Sequence, residues 1–199
     1  MDIALSLLIG IGLSATCGFR VFVPFLIISA ASLAGYLELS PGFAWLGSYP
    51  ALITFAVATI LEIIAYFVPY VDNLLSVIST PVAVIAGAVV TASVFCDLGP
   101  YLGWAVGIIA GGGAAFAGKS ASAAVHAGST AATGGAANPA VSLLETLWSW
   151  FLGILSVVVP LLVVIFILII VLVAVKIAGK MRKRDRKRNS PGTDTASTA

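Results

Sequence analysis

The chain has 199 residues, of which 60% are hydrophobic and only 9% charged, and its net charge is +2. Soluble globular proteins are about one-quarter charged, so this composition, with a mean hydropathy of +1.14, excludes an ordinary soluble enzyme and points to a membrane. The charge is distributed unevenly: eight of the ten Lys and Arg residues lie between Lys176 and Arg188, leaving Arg20 and Lys119 alone upstream.

The first apolar region runs from Ile3 to Ala34, interrupted by Arg20 and Pro24. Asp2 stands where a signal peptide would carry positive charge, and no A-x-A site follows, so this run is expected to be retained. As one helix it would be roughly 48 Å long, too much for a hydrocarbon core of about 30 Å. Residues 3–20 suffice for a crossing, and 21–34 has the length of a re-entrant or interfacial segment. Tyr49 to Val68, containing Glu62, makes a second crossing, and Leu74 to Cys96, with Pro81 inside it, a third. Pro100 to Gly118 makes a fourth. The stretch "SASAAVHAGSTAATGGAANP" at 120–139 then switches to Ala, Gly, Ser and Thr and is expected to be irregular. Ala140 to Ala178 is too long for one helix, and Pro160 divides it into a fifth and a sixth crossing.

The expected fold is therefore all-α: a polytopic membrane protein of about six helices over residues 1–179, with broken or re-entrant segments. Residues 180–199 form a basic tail expected to be disordered. Its "KMRKRDRKR" run directly follows the last apolar segment, so the positive-inside rule places the C-terminus in the cytoplasm, and six crossings place the N-terminus there too. Contact of this run with anionic lipid is compatible with its role as a topology anchor.

Residues Gly113 to Ser120 read G-A-A-F-A-G-K-S, a full match to the phosphate-loop pattern G-x-x-x-x-G-K-[ST]. Such a loop follows a buried strand and needs a downstream Asp to help hold magnesium. Here a membrane helix precedes it, and the only later Asp residues, Asp185 and Asp194, are in the tail. No nucleotide is expected to bind. Gly99, Gly103, Gly107 and Gly111, extended by Ala115, instead form a glycine zipper along one helix face, and Ser6, Gly10, Ser14 and Gly18 form a similar stripe.

Cys17, Cys96 and His126 show no metal-ligand or disulfide spacing, so neither a metal nor a cofactor is expected. No Ser–His–Asp set or nucleophile elbow is present, and the chain is not expected to be an enzyme. The informative residues are the intramembrane charges Arg20, Glu62, Lys119 and Glu145, each costing roughly 2.5–3.5 kcal/mol at mid-helix. Either they pair to hold helices together, or they line a polar cavity for a substrate or ion. Gly12 stands before Arg20 as Gly111 stands before Lys119, and Thr59…Glu62 parallels Ser142…Glu145. This suggests two inverted halves of three crossings each, as in many transporters. Against that, the topology puts Glu62 and Glu145 toward the same side.

"GLSATCGFRVFVPF" (12–25), "LEIIAYFVPYVD" (61–72) and "NPAVSLLE" (138–145) resemble the recurring blocks of an uncharacterised bacterial membrane family, domain of unknown function 4126. The resemblance covers roughly residues 3–178. It departs from the family at Tyr66, where a charged residue is common, and at Thr146, where an acidic one often follows the Glu. It implies a multi-span inner-membrane protein and no established activity.

The leading expectation is a transporter or lipid-translocating protein acting as a homo-oligomer in the bilayer, with no nucleic-acid partner. Arg20 and Lys119 would meet an anionic small molecule or lipid headgroup, and Glu62, with Glu145, would neutralise them in the empty state or carry a coupling proton. Asn138 and Ser142 would add hydrogen bonds. The alternative is an accessory membrane protein whose charges only join helices.

Overall fold

The computed structural model describes residues 2–65, 69–95 and 99–162, together with 165, 169 and 176, giving the backbone alone for 69–77 and 100. The expected basic tail, Cys96 and most of the sixth crossing lie outside the described residues. By Cα proximity the chain divides into Met1–Ile167 and Leu168–Ala199, and the helices described all belong to the first unit.

The fold is all-helical. Helix α1 (Ile3–Cys17) is followed by α2 (Phe22–Leu33), a 3₁₀ segment (Pro41–Gly47), α3 (Tyr49–Ala65) and α4 (Pro69–Val94). Then come α5 (Pro100–Val106), one π-helical turn (Gly107–Gly111), α6 (Gly112–Thr133) and α7 (Asn138–Val158). Helix α1 is central, packing on α2, α4, α6 and α7.

Leu13, Ile28, Leu46 and Leu152 fill the interior as in a soluble protein, but small hydroxyls share it and large apolar side chains also cover the outside. Ser6, Ser14, Thr16, Ser29, Thr91, Ser93, Ser149 and Ser156 are buried, while Ile53, Val57, Ile60 and Ile64 of α3 and Leu144, Leu147, Phe151 and Ile154 of α7 face outward. Large apolar side chains on the outside and small hydroxyls inside suit a lipid solvent, where helices gain nothing by burying leucine and associate through close backbone approach. Helices Tyr101–Thr133 and Asn138–Val158 are long and apolar enough to cross a membrane. Pro41–Gly47 and Tyr49–Ala65, inclined at 66°, add a third span if counted as one broken helix. Two to three of the six expected crossings therefore have the necessary length and hydropathy among the described residues; Ile3–Cys17, Phe22–Leu33 and Ile78–Val94 are shorter apolar helices.

One expectation is corrected. Residues 120–133 are not irregular but continue α6, and the helical path from Tyr101 reaches Thr133. Alanine is the strongest helix former, and Ser120 and Thr133 satisfy their hydroxyls on the preceding turn, on Phe116 O and Ser129 O, each at 2.8 Å. The helix ends at Gly134, whose φ of +63° favours glycine and whose N–H donates to Thr130 O at 2.8 Å. The division at Pro160 occurs as expected: α7 stops at Val158, and helix resumes at Pro160, where a missing N–H is harmless.

The α1 stripe is buried at Ser6, Gly10 and Ser14. Ser14 Oγ donates to Gly87 O at 2.7 Å and lies 2.7 Å from Thr91 Oγ1, and a methyl added at Gly10 would sit 3.1 Å from Thr91 Cγ2. Of the second stripe, Gly107 and Gly111 approach the α4 backbone at Ala88 and Gly87, whereas Gly99 has open space beside it.

Candidate functional site

The path between α1 and α2 breaks at Gly18–Val21. Gly18 lies at a very tight helix crossing: a Cβ there would come within 2.6 Å of Ala115 O and collide with the Gly118–Lys119 backbone of α6. From α6, Gly118 meets Ala15 O in the same way. Two glycines thus bring α1 and α6 into backbone contact, and Arg20 and Lys119 flank that contact.

Breaking the helix exposes the N-terminus of α2, whose first amides have no partner within their own helix. Glu62, from α3, supplies one: Oε1 accepts the Val21 N–H at 2.8 Å and Oε2 the Phe22 N–H at 3.1 Å. Stacking of Phe25 on Phe55, with centroids 5.2 Å apart, aligns α2 with α3 so that Glu62 reaches this point. A carboxylate here meets two main-chain donors and the positive end of the helix. The contact between Gly18 and the Gly118–Lys119 backbone brings Lys119 to the same junction.

Arg20 is 1% exposed and is the largest of the fully buried side chains described. Its Nη2 donates to Ser142 O, near the start of α7, at 2.7 Å, and Thr146 Oγ1 donates to the same carbonyl at 2.8 Å. Ser142 meets Arg20 through its main-chain carbonyl. The structure gathers Arg20, Glu62, Lys119 and Ser142 around the α1–α2 break, from four parts of the chain that sequence separation alone does not relate.

Glu145 and Asn138 belong elsewhere. Glu145 Oε2 lies 3.2 Å from His126 Nε2, joining α7 to α6, while Glu145 Oε1 is buried with no hydrogen-bond partner among the described residues. His126 is not among the expected site residues. Its signal is present in the sequence: once 120–133 is helical, His126 and Glu145 are equidistant from the centre of the 134–137 turn. Asn138 closes that turn, donating from Nδ2 to Thr130 Oγ1 at 3.1 Å. The main-chain donors of Val21 and Phe22 leave no trace in side-chain chemistry, because any residue but proline carries them.

Among the described residues, no three His, Cys, Asp or Glu side chains cluster closely enough to hold a metal ion. The Gly113–Ser120 segment lies entirely within α6, so its N–H groups are engaged in helix rather than arranged as a cradle.

Apolar helices facing outward around a core in which small hydroxyls are mixed with apolar side chains, with Glu62 capping α2 next to the buried Arg20, define a helical membrane protein. The chain belongs to the family described as domain of unknown function (DUF4126), whose model matches residues 7–180. No curated protein and no solved structure matches it.

Proposed function

We propose that the protein is a small multi-pass transporter or lipid-translocating protein of the inner membrane, with both termini cytoplasmic, working as a homo-oligomer on an anionic small molecule or lipid headgroup. One observation carries this reading: the Glu62 carboxylate sits on the first amides of α2, next to Arg20 and close to the Gly18–Lys119 backbone contact. A broken membrane helix whose N-terminus faces an anionic group is the recurring substrate site of secondary transporters. Glu62 acts as a tethered stand-in. It neutralises the two cations in the empty state, and a carboxylate or phosphate displaces it when substrate arrives. Protonation of the displaced Glu62 would couple a proton to the movement. The reading includes no catalysis and no nucleotide.

The test is flux in reconstituted vesicles, with radiolabelled inorganic phosphate and an acyl-labelled phosphatidylglycerol as separate probes. Glu62→Gln and Arg20→Ala should bring flux down to that of protein-free vesicles. Undiminished movement through both variants rejects the mechanism.

The second reading, an accessory protein whose charges only join helices, has its own support in the Arg20–Ser142 carbonyl bond, which ties the α1–α2 junction to α7. It predicts that Arg20→Met, which keeps volume without charge, preserves function if it preserves folding. Under the transport reading the same variant folds and moves nothing.

A further inference from the structure

Helices α2 and α7 run side by side in the same sense. At their N-terminal ends, Arg20 reaches Ser142 O and Glu62 holds Phe22 N. Further along, Gly153 of α7 abuts Ile27 of α2. Beyond that contact lies an apolar groove of about 520 Å³, lined by Leu26, Ile27, Ala30, Trp150, Ile154 and Val157 among others, with no charged side chain among the described residues that line it. The hollow exists because Ala31 of α2 and Ala34, just past its end, also line it, where a leucine would fill the space. Leu26, at its near end, is one helical turn from Phe22, and the groove follows α2 for roughly 12 Å.

A charged end and an oily trough on the same two helices match the two parts of an amphiphile. We infer that the substrate is an anionic membrane lipid, with its headgroup at Arg20, Lys119 and the α2 N-terminus and one acyl chain along the α2–α7 groove. This rests on the transport reading and narrows it, since a water-soluble anion gains nothing from the groove. Hydrocarbon enters any apolar groove in a bilayer without preference, because lipid tails are as apolar as leucine. Selectivity must therefore come from the charged end, and that is measurable.

The full-length protein is placed in phosphatidylcholine vesicles carrying a trace of phosphatidylglycerol with a diazirine in one acyl chain. Phosphatidylcholine with the same photoactivatable chain serves as comparison, and adducts are mapped by peptide mass spectrometry. Attraction of an anionic headgroup to a nearby basic residue amounts to roughly fivefold per Lys or Arg, so phosphatidylglycerol should label 26–34 and 150–158 about fivefold or more above phosphatidylcholine. The outer face of α3 at Ile53, Val57 and Ile60 should be labelled equally by both. Arg20→Gln, and separately the milder Lys119→Gln, should reduce groove labelling toward the phosphatidylcholine level, and Ala30→Trp should remove it.

Equal groove labelling by the two headgroups overturns the inference. So does an unlabelled groove, whether a second copy or the chain's own C-terminal apolar run covers it. Phosphate uptake in the same vesicles separates the two claims. If uptake needs Arg20 while the groove shows no headgroup preference, the lipid assignment falls and anion transport stands; if uptake is also indifferent to Arg20, both fall.

Discussion

Glu62 and Phe22 are forty positions apart, yet the carboxylate of one closes the helix begun by the other, with Oε2 3.1 Å from the Phe22 nitrogen and Oε1 2.8 Å from that of Val21. A capping carboxylate normally comes from the residue just before its own helix. Here Val21 occupies that place and has nothing to offer, so the cap comes from α3.

Removing this cap should destabilise the α1–α2 junction. Glu62→Ala orphans two N–H groups, each costing about 1–3 kcal/mol where water is excluded, whereas Glu62→Gln retains one acceptor and loses less. Thermal unfolding in detergent should rank the midpoints wild type, Gln, Ala. An alanine variant as stable as wild type would show that the two amides find other partners.

The glycines should divide by what stands beside them. At Gly111 an added methyl collides with Gly87 O and comes within 2.7 Å of Thr91 Cβ, and at Gly18 it meets the α6 backbone. Alanine at either should cost about 1–3 kcal/mol or more. At Gly153 the obstacle is the end of the Ile27 side chain, which can rotate away, so alanine should cost less there. Gly113 has nothing within 4 Å, and in mid-helix Gly113→Ala should gain about 0.5–1 kcal/mol. The order of melting temperatures decides it.

His126 and Glu145 are expected to be coupled. A double-mutant cycle with His126→Ala and Glu145→Gln should show an interaction of about 0.5–3 kcal/mol, as for side chains in direct contact. Additive losses would mean that the 3.2 Å approach carries no energy.

Nucleotide should have no effect. Because Gly113–Ser120 is α-helical and Ser120 Oγ is bonded to Phe116 O, magnesium-ATP should leave the unfolding midpoint unchanged, with or without Lys119→Ala. A stabilisation that disappears with Lys119→Ala would reinstate the phosphate loop.

The legible parts of this molecule are those with a local cause. Hydropathy identifies the helical class, Pro160 marks a real break, and the cost of ionising a group in oil picks out Arg20 and Glu62. The illegible parts depend on pairing. The polar look of 120–139 masks its alanine content, so its helix resembles a loop and the His126–Glu145 register stays hidden. The place of Asn138 in the hairpin turn is hidden for the same reason, since it shows only once both flanking helices are known. The proposed matching of Arg20 with Lys119 does not extend to their backbones, because Arg20 lies between two helices and Lys119 inside one.

The π turn at Gly107–Gly111 also sets the rotation of α6 about its own axis. A widened turn takes up one more residue than an α turn, and so shifts the angular phase of everything downstream by roughly 100°. Glycines four apart drift around an ordinary helix, but this slack holds Gly107 and Gly111 against α4 while still delivering Gly118 to α1. Trimming a single residue from the turn would leave every side chain downstream chemically intact and yet swing Gly118 and Lys119 away from Gly18, so the bulge serves as the timing gear of the α1–α6 contact.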